Sequence, residues 1–287
     1  MPELSVNRNA LKLVKALCDN PERYGVTIKE NSLKTCIIDV GIEAKGGLLA
    51  GKTVTEICLG GLGEASITSM SIGNLNLPAV TVYTDHPAVS TLGSQLAGWQ
   101  IKVGEYSAAG SGPARALALK PKSVYAKIGY RDESDIAILV LETSREPPLE
   151  VITYISELCH VTPERLFLIL VPIVSLAGSV QISGRIAETG IHKLFELGLD
   201  PKLITHAWGH APILPVHPDD VEAMGRTNDA ILYGGTTYYT VNYEDDETLW
   251  NLVQQSVSSS SKQYGRPFAQ IFREANLDFY KIDPGIF

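Results

Sequence analysis

Two apolar runs of strand length, each followed by a helical pattern, constrain the fold of this chain most strongly. Residues 136–142 and 165–172 predict buried strands, and residues 150–159 predict a helix between them. A second, longer helix is expected over 177–197. This order predicts a parallel strand pair joined by a right-handed crossover, and so an α/β fold. Because ligands of such sheets bind beyond the carboxyl ends of the strands, a site is expected where Val171 leads toward the long helix.

The predicted long helix carries one isolated charged pair, Arg185 and Glu188. Helical spacing places Gln181 and His192 on the same face as this pair. Glycines inside a helix cost about 1 kcal/mol each relative to alanine. We expect a close approach of the backbone to a bound molecule to compensate for that cost. The spacing fits an exposed ion pair, worth only a few tenths of a kcal/mol, equally well.

Composition limits the class of protein. The chain has 287 residues, of which 45% are hydrophobic, so it can bury a sizeable core. Its formal net charge of −8 argues against a nucleic-acid partner, which would require a basic surface. We find no signal-peptide pattern and no apolar run near the ~20 residues that span a bilayer, so we expect a cytoplasmic protein without a membrane partner. Scattered cysteines predict buried free thiols in a reducing compartment: Cys18, Cys36, Cys58 and Cys159.

Shorter patterns complete the predicted elements. Helices are expected over 7–17 and 87–97, and strands over 36–40, 65–70, 79–83, 230–233 and 237–243. The proline-rich chain beyond residue 199 predicts loops before the last two strands. A serine-rich tract at 256–261 predicts a surface loop between two helices.

Residues 110–115, GSGPAR, precede a helical pattern and form a candidate anion site. Free N–H groups at a helix start, with Arg115 nearby, suit a phosphate or a carboxylate. Arg115 stands where a dinucleotide fingerprint needs its third glycine, so a nucleotide-dependent dehydrogenase is rejected. A turn into a proline-started helix is the structural alternative.

Two further segments carry candidate ligand groups. The histidines of HAWGHAPILPVHP could bind zinc, but no helix fixes their orientation, and ordinary loop histidines are favoured: His206, His210 and His217. Polar residues at 226–229 precede an apolar run and predict a pocket lining, although an Asx-type turn explains them nearly as well.

Five blocks together resemble the methenyltetrahydromethanopterin cyclohydrolase family, in order and over nearly the whole chain. They are TDHPAVSTLGSQLAGW, GSGPARALALKPK, AGSVQISGRIAETGIHK, MGRTNDAILYGG and GRPFAQIFREANLDFYKID. The resemblance implies a mixed α/β fold of two lobes with a large pocket between them. We assign 1–110 with 236–287 to the first lobe and 111–235 to the second. It also implies a homotrimer without metal or cofactor, and a tetrahydromethanopterin derivative as substrate in one-carbon metabolism.

The resemblance places the family's catalytic arginine and glutamate at Arg185 and Glu188. Its phosphate contacts fall on Ser111, Gly112 and Arg115. Leu96 departs from the lysine that some relatives have in the SQxAGW block, so a contact made by that lysine is not expected here. Further substrate-binding residues are expected at Asp85, Gln181, Arg226, Thr227 and Asn228.

The chemistry implied by the resemblance is the reversible addition of water to a methenyl bridge, which gives a formyl group. Glu188 would take the proton of the attacking water and return a proton to the departing nitrogen, and Arg185 would orient the carboxylate. A non-catalytic pterin carrier is the alternative, but it would not need the Arg–Glu pair. A metal hydrolase built on the three histidines is a second one.

Overall fold

The computed structural model describes residues 4–278 and 281–287, which form two β-sheets and surrounding helices. The mixed α/β class is confirmed. The strands are β1 Thr27–Glu30, β2 Cys36–Asp39, β3 Gly63–Ile72, β4 Leu75–Thr84, β5 Trp99–Val103, β6 Tyr106–Ser111, β7 Ala137–Glu142, β8 Leu166–Val171, β9 Ile204–Pro212 and β10 Thr236–Val241. The α-helices are α1 Val6–Asp19, α2 Pro21–Tyr24, α3 Leu48–Cys58, α4 Ala114–Ala118, α5 Lys122–Ile128, α6 Leu149–Cys159, α7 Leu176–Ser183, α8 Ile186–Glu196, α9 Asp220–Gly234, α10 Asp246–Ser256 and α11 Phe268–Glu274.

The six-stranded sheet contains the predicted parallel pair. Its strand order is β1-β2-β8-β7-β6-β5, and β7 pairs in parallel with β8 while α6 connects them. Leu139 and Leu141 pack on one face with Val151 of α6, whereas Ile138 packs on the other face among residues of α1 and α3. Both faces are therefore covered, as the continuous apolar runs predict.

The four-stranded sheet is antiparallel, with the order β10-β9-β4-β3. Strand β9 corrects the expectation of loops after residue 199. Ala207, Gly209 and Ala211 alternate toward the interior, and a Cβ on Gly209 would lie 2.7 Å from the Ile186 side chain. These small residues pack a helix closely against the strand but carry little intrinsic strand propensity.

A helix replaces the strand that we expected over 230–233. These residues form the last turns of α9, which begins after Asp219, whose side chain accepts hydrogen bonds from the Val221 and Glu222 N–H groups. An apolar run of four residues has no diagnostic period, so it cannot distinguish a strand from a buried helical turn. The polar residues before it therefore lie on a helix.

The expected long helix over 177–197 is two helices, α7 and α8, which meet at Gly184 and Arg185. A Cβ on Gly184 would lie 2.5 Å from the Thr55 side chain. Gly178 and Gly190 are similarly close to the Pro172 carbonyl and the Tyr239 hydroxyl. These glycines therefore accommodate other parts of the protein, which corrects the expectation that they approach a ligand.

A π-helix, Ala88–Gln95, replaces the α-helix expected over 87–97. Its last residue precedes extended backbone at Leu96, where ψ is 132°. Single π-helical turns are rare and occur frequently at functional sites.

Each sheet combines strands from distant parts of the chain. Strands from 27–39 and 137–171 share the six-stranded sheet, and strands from 63–84 and 204–241 share the other. Across the described residues, we find no helix with the length and apolarity needed to cross a membrane. The four cysteines are free: Cys58 and Cys159 are buried, and Cys18 and Cys36 are half-buried.

Candidate active site

A cavity of about 640 Å³ lies between one end of the six-stranded sheet and helices α8 and α9. We call its strand residues the sheet wall: Gln100, Ser107, Ala108, Ala109 and Glu142. We call its helix residues the helix wall: Arg185, Glu188, Thr189, His192, Lys193, Glu196, Met224, Asn228 and Ile231. Ile182, the segment at Leu96 and Ala97, and the C-terminal residues Ile282, Asp283 and Phe287 complete the lining. Glu142 is the last residue of β7, so the cavity lies beyond the carboxyl end of the parallel pair, as expected.

Arg185 and Glu188 form a buried ion pair in this cavity. Their side chains are only 12% and 4% exposed. The Arg185 Nε and a terminal guanidinium nitrogen donate to Glu188 Oε2 over 3.3 and 3.2 Å. The alternative of a solvent-exposed helix pair is therefore wrong. Glu188 also lies in the first turn of α8, where the helix dipole stabilises a negative charge.

Only one oxygen of the Glu188 carboxylate is engaged by Arg185. Within residues 4–278 and 281–287, no group donates a hydrogen bond to Glu188 Oε1. A carboxylate held through one oxygen, at a cavity wall, can accept a proton from a small molecule on the other.

Gln95, the last residue of the π-helix, supports the turn that carries Arg185. Its Nε2 donates to the Gly184 carbonyl over 3.0 Å, and its own carbonyl accepts from Ser111 Oγ over 2.5 Å. Tyr239 donates to the Ala187 carbonyl over 2.9 Å on the far side of the turn. Gln95 was not identified from the sequence, although it lies in the block TDHPAVSTLGSQLAGW.

The segment at 110–115 does not line the cavity. The Arg115 side chain is fully buried, and its guanidinium donates to the carbonyls of Lys120, Leu92 and Ser94 over 2.8, 3.2 and 3.0 Å. The Gly112 N–H also donates to the Ser94 carbonyl. These bonds give Arg115 a structural role, and its contact with an anionic ligand stays a prediction.

Among the other expected substrate contacts, only Asn228 lines the cavity. Thr227 donates to carbonyls of its own helix, and Arg226 donates to the Pro215 carbonyl over 3.0 Å. Asp85 is exposed and Gln181 is buried, and both lie outside the cavity lining. Arg226, Thr227 and Asn228 lie on α9, and consecutive residues of a helix point to different sides. This explains why Asn228 lines the cavity while its two neighbours do not.

Glu142 and Lys193 are two of the ionisable cavity side chains that were not identified from the sequence. Burial raises the pKa of the Glu142 carboxyl, and the positive charge of Arg185 acts in the opposite direction. Burial lowers the pKa of the Lys193 amine, against the charge of Asp283. Neither residue stands out locally, since Glu142 only ends an apolar run and Lys193 continues a helical pattern.

The histidines considered for zinc do not come together with other ligands. His206 and His210 lie on β9, and His217 accepts a hydrogen bond from the Asp219 N–H in the loop before α9. Of the residues that the structure describes, no group of three or more His, Cys, Asp or Glu side chains is arranged to hold a metal ion.

The fold and the cavity together define a class: an α/β protein with a buried carboxylate–guanidinium pair at a cavity large enough for an organic ligand. Comparison with known families specifies the class further. A family model described as Cyclohydrolase (MCH) matches residues 5–287. The chain belongs to this family, so the resemblance found in the sequence is confirmed.

Similar proteins come from methane-producing archaea and share one name. Proteins named methenyltetrahydromethanopterin cyclohydrolase from Methanococcoides burtonii and Methanocaldococcus jannaschii are each 44% identical to this chain over 284 and 287 residues. The one from Methanothermobacter marburgensis is 45% identical over 289 residues. The alignments cover 99% of this chain and 89%, 89% and 90% of the three relatives.

Proposed function

We propose that this protein is a methenyltetrahydromethanopterin cyclohydrolase, in which Glu188 transfers protons and Arg185 orients it. Family membership supports the overall activity. The observation that carries the residue roles is the buried pair, in which Arg185 engages Glu188 Oε2 and leaves Oε1 at the cavity. A carrier protein would gain nothing from a buried charged pair, whose desolvation is costly.

The substrate's methenyl carbon joins two nitrogens and carries a delocalised positive charge. Water attacks this carbon while Glu188 takes one of its protons, which gives a neutral tetrahedral carbinolamine. One carbon–nitrogen bond then breaks, the departing nitrogen receives a proton from Glu188, and the hydroxyl proton is lost as the formyl C=O forms. The net reaction consumes one water and releases one proton.

Arg185 orients the carboxylate in this scheme. Its two N–H donors fix the carboxylate on one oxygen, so that the other remains available for water. The Gln95 hydrogen bond to the Gly184 carbonyl holds the backbone from which Arg185 projects. The catalytic groups are therefore positioned before the substrate binds, which is the main source of electrostatic catalysis.

We also propose that the enzyme is a cytoplasmic homotrimer that needs no metal or cofactor. An aromatic row across the outer face of the four-stranded sheet supports self-association, because Tyr83, Trp208 and Tyr238 are aligned in register, and Tyr238 is 67% exposed. Sedimentation equilibrium should give three times the chain mass, and exhaustive chelation should leave turnover unchanged. A monomer, or a loss of activity restored by added metal, would contradict this part of the proposal.

Optical spectroscopy tests the activity directly. The methenyl form of the pterin absorbs in the near ultraviolet through its conjugated bridge, and hydration removes that absorbance. Catalytic amounts of the protein should convert many equivalents of methenyl-tetrahydromethanopterin. A spectral change limited to one equivalent per chain would instead identify a carrier.

A further inference from the structure

Three neighbouring strands place one polar row on the sheet wall. Gln100 of β5 pairs in register with Ala109 of β6, and Ala109 pairs in register with Glu142 of β7. Residues paired in register point to the same face of a sheet. Gln100, Ala109 and Glu142 all line the cavity, and the alternate residues Trp99, Ile101 and Leu141 are buried in the core.

The small residue in the middle of this row leaves a flat floor between two polar side chains. Strands lie about 4.8 Å apart, so the Cα atoms of Gln100 and Glu142 are about 10 Å apart across the methyl group of Ala109. This separation fits a planar bicyclic ring with a hydrogen bond at its edge.

The Glu142 carboxyl is half-buried at the cavity wall, and no group in the described part of the chain donates a hydrogen bond to it. Burial disfavours its charged form, and Arg185 only partly offsets that effect. A ligand that fills the cavity excludes water from this carboxyl, and a buried acceptor without a hydrogen-bond partner is costly. A donor on the ligand would supply the missing pair.

Glu142 and the reacting pair occupy different walls. Glu188 projects from α8 and Glu142 from the end of β7, so a ligand that fills the cavity presents different parts to the two carboxyls. Glu188 is already bonded to Arg185, which suits a reacting centre. Glu142 suits a part of the ligand that donates hydrogen bonds and does not react.

We propose that Glu142 is the residue that selects the pterin ring, by accepting hydrogen bonds from its amino group and the adjacent ring N–H. This inference rests on the proposed function for the identity of the ligand. A pterin carries these two donors side by side on its pyrimidinone ring, away from the methenyl bridge. They match the two oxygens of one carboxylate as a guanidinium does, and Ala109 forms the floor beneath the ring.

The test compares Glu142→Gln with the parent and with Glu157→Gln, which removes an exposed carboxylate on α6 far from the cavity lining. Affinity for tetrahydromethanopterin, which lacks the one-carbon unit and cannot react, is measured by calorimetry. Because glutamine offers one acceptor where the ligand has two donors, we expect Glu142→Gln to weaken binding by about 10–100-fold. KM should rise by a similar factor with kcat within about threefold, because binding is lost equally in ground and transition states.

A ligand variant identifies the contact. In the parent, 6-methyltetrahydropterin should compete with the substrate far better than its 2-deamino form, and in Glu142→Gln the two should compete equally. Unchanged affinity in Glu142→Gln, or a fall in kcat at constant KM, would overturn the proposal. Glu142-dependent binding without any turnover by the parent would support the inference while refuting the proposed cyclohydrolase activity.

Discussion

Arg115 and Arg185 are both largely buried, yet their surroundings give them different tasks. Arg115 is fully enclosed and donates to three backbone carbonyls. Arg185 lines a cavity and donates to one carboxylate oxygen of Glu188. A guanidinium paired with carbonyls neutralises no charge and stabilises the surrounding loops, whereas one paired with a carboxylate at a cavity can control a reacting group.

The comparison also shows that similar sequence motifs can place an arginine in different surroundings. Both arginines follow glycine-containing segments at helix starts, and both belong to blocks that resemble the family. The difference arises from distant residues, since the carbonyls around Arg115 come from the π-helix at 88–95 and the loop at Lys120.

Of the two arginines, Arg185 has the larger expected effect on catalysis. Arg185→Ala removes the donors that orient Glu188, so kcat should fall by about 10²–10³-fold. Steady-state rates of methenyl-pterin hydration measure this loss. Arg273→Ala, which breaks only an exposed pair with Glu222, is the matched control and should keep the parental rate. If Arg185→Ala keeps the parental rate, the catalytic task assigned to Arg185 is wrong.

For Arg115 we expect substitution to lower stability and to leave the catalytic rate nearly unchanged. Arg115→Ala removes the guanidinium donor from three carbonyls, of which, within the described residues, only that of Ser94 keeps a second donor in the Gly112 N–H, and it opens a void, so the free energy of unfolding should fall by about 3–5 kcal/mol. Chemical denaturation measures the loss. Rates per folded molecule should stay within about threefold at low temperature, because the cavity lining is untouched. A raised KM in folded protein would instead support the anion-binding role that the sequence predicts for Arg115.

The smallest expected effect concerns pH and Glu142. Because burial raises the pKa of this carboxyl in the folded protein, its ionisation opposes folding. Below its unfolded-state pKa of about 4.3 the group is protonated in both states and contributes nothing, and the cost grows as pH rises through the folded-state pKa. Glu142→Gln should therefore gain stability over the parent at about pH 8 but not at about pH 4.

Thermal melts at both pH values measure this difference. The other charged side chains of the cavity are present in both variants, so their titration cancels in the comparison: Arg185, Glu188, His192, Lys193, Glu196 and Asp283. A stability gain that is equal at both pH values would show that Glu142 titrates normally.

Local patterns predicted the parallel pair of the six-stranded sheet because its two strands are continuous apolar runs that fit no exposed element. The runs at 136–142 and 165–172 became β7 and β8, joined by α6. Small residues in β9 and the short run at 230–233 carried too little local signal, and packing against α8 and α11 decided their structure.

The site was predictable only in part, for a similar reason. Arg185 and Glu188 follow a predicted strand at helical spacing, and the family resemblance named them. Gln95 acts through a hydrogen bond to the distant Gly184 carbonyl, and Glu142 faces the cavity because of strand register. Neither the hydrogen bond nor the strand register can be predicted from the neighbouring residues in the sequence.

The most direct test of the account is the Glu188→Gln variant. Glutamine preserves the shape of the side chain but cannot accept the proton, so kcat for methenyl-pterin hydration should fall by about 10²–10⁴-fold. Affinity for unreactive tetrahydromethanopterin should remain within a few-fold of the parent. A folded Glu188→Gln protein that binds this pterin and hydrates the methenyl form at the parental rate would contradict the assignment of Glu188 as the proton-transferring group.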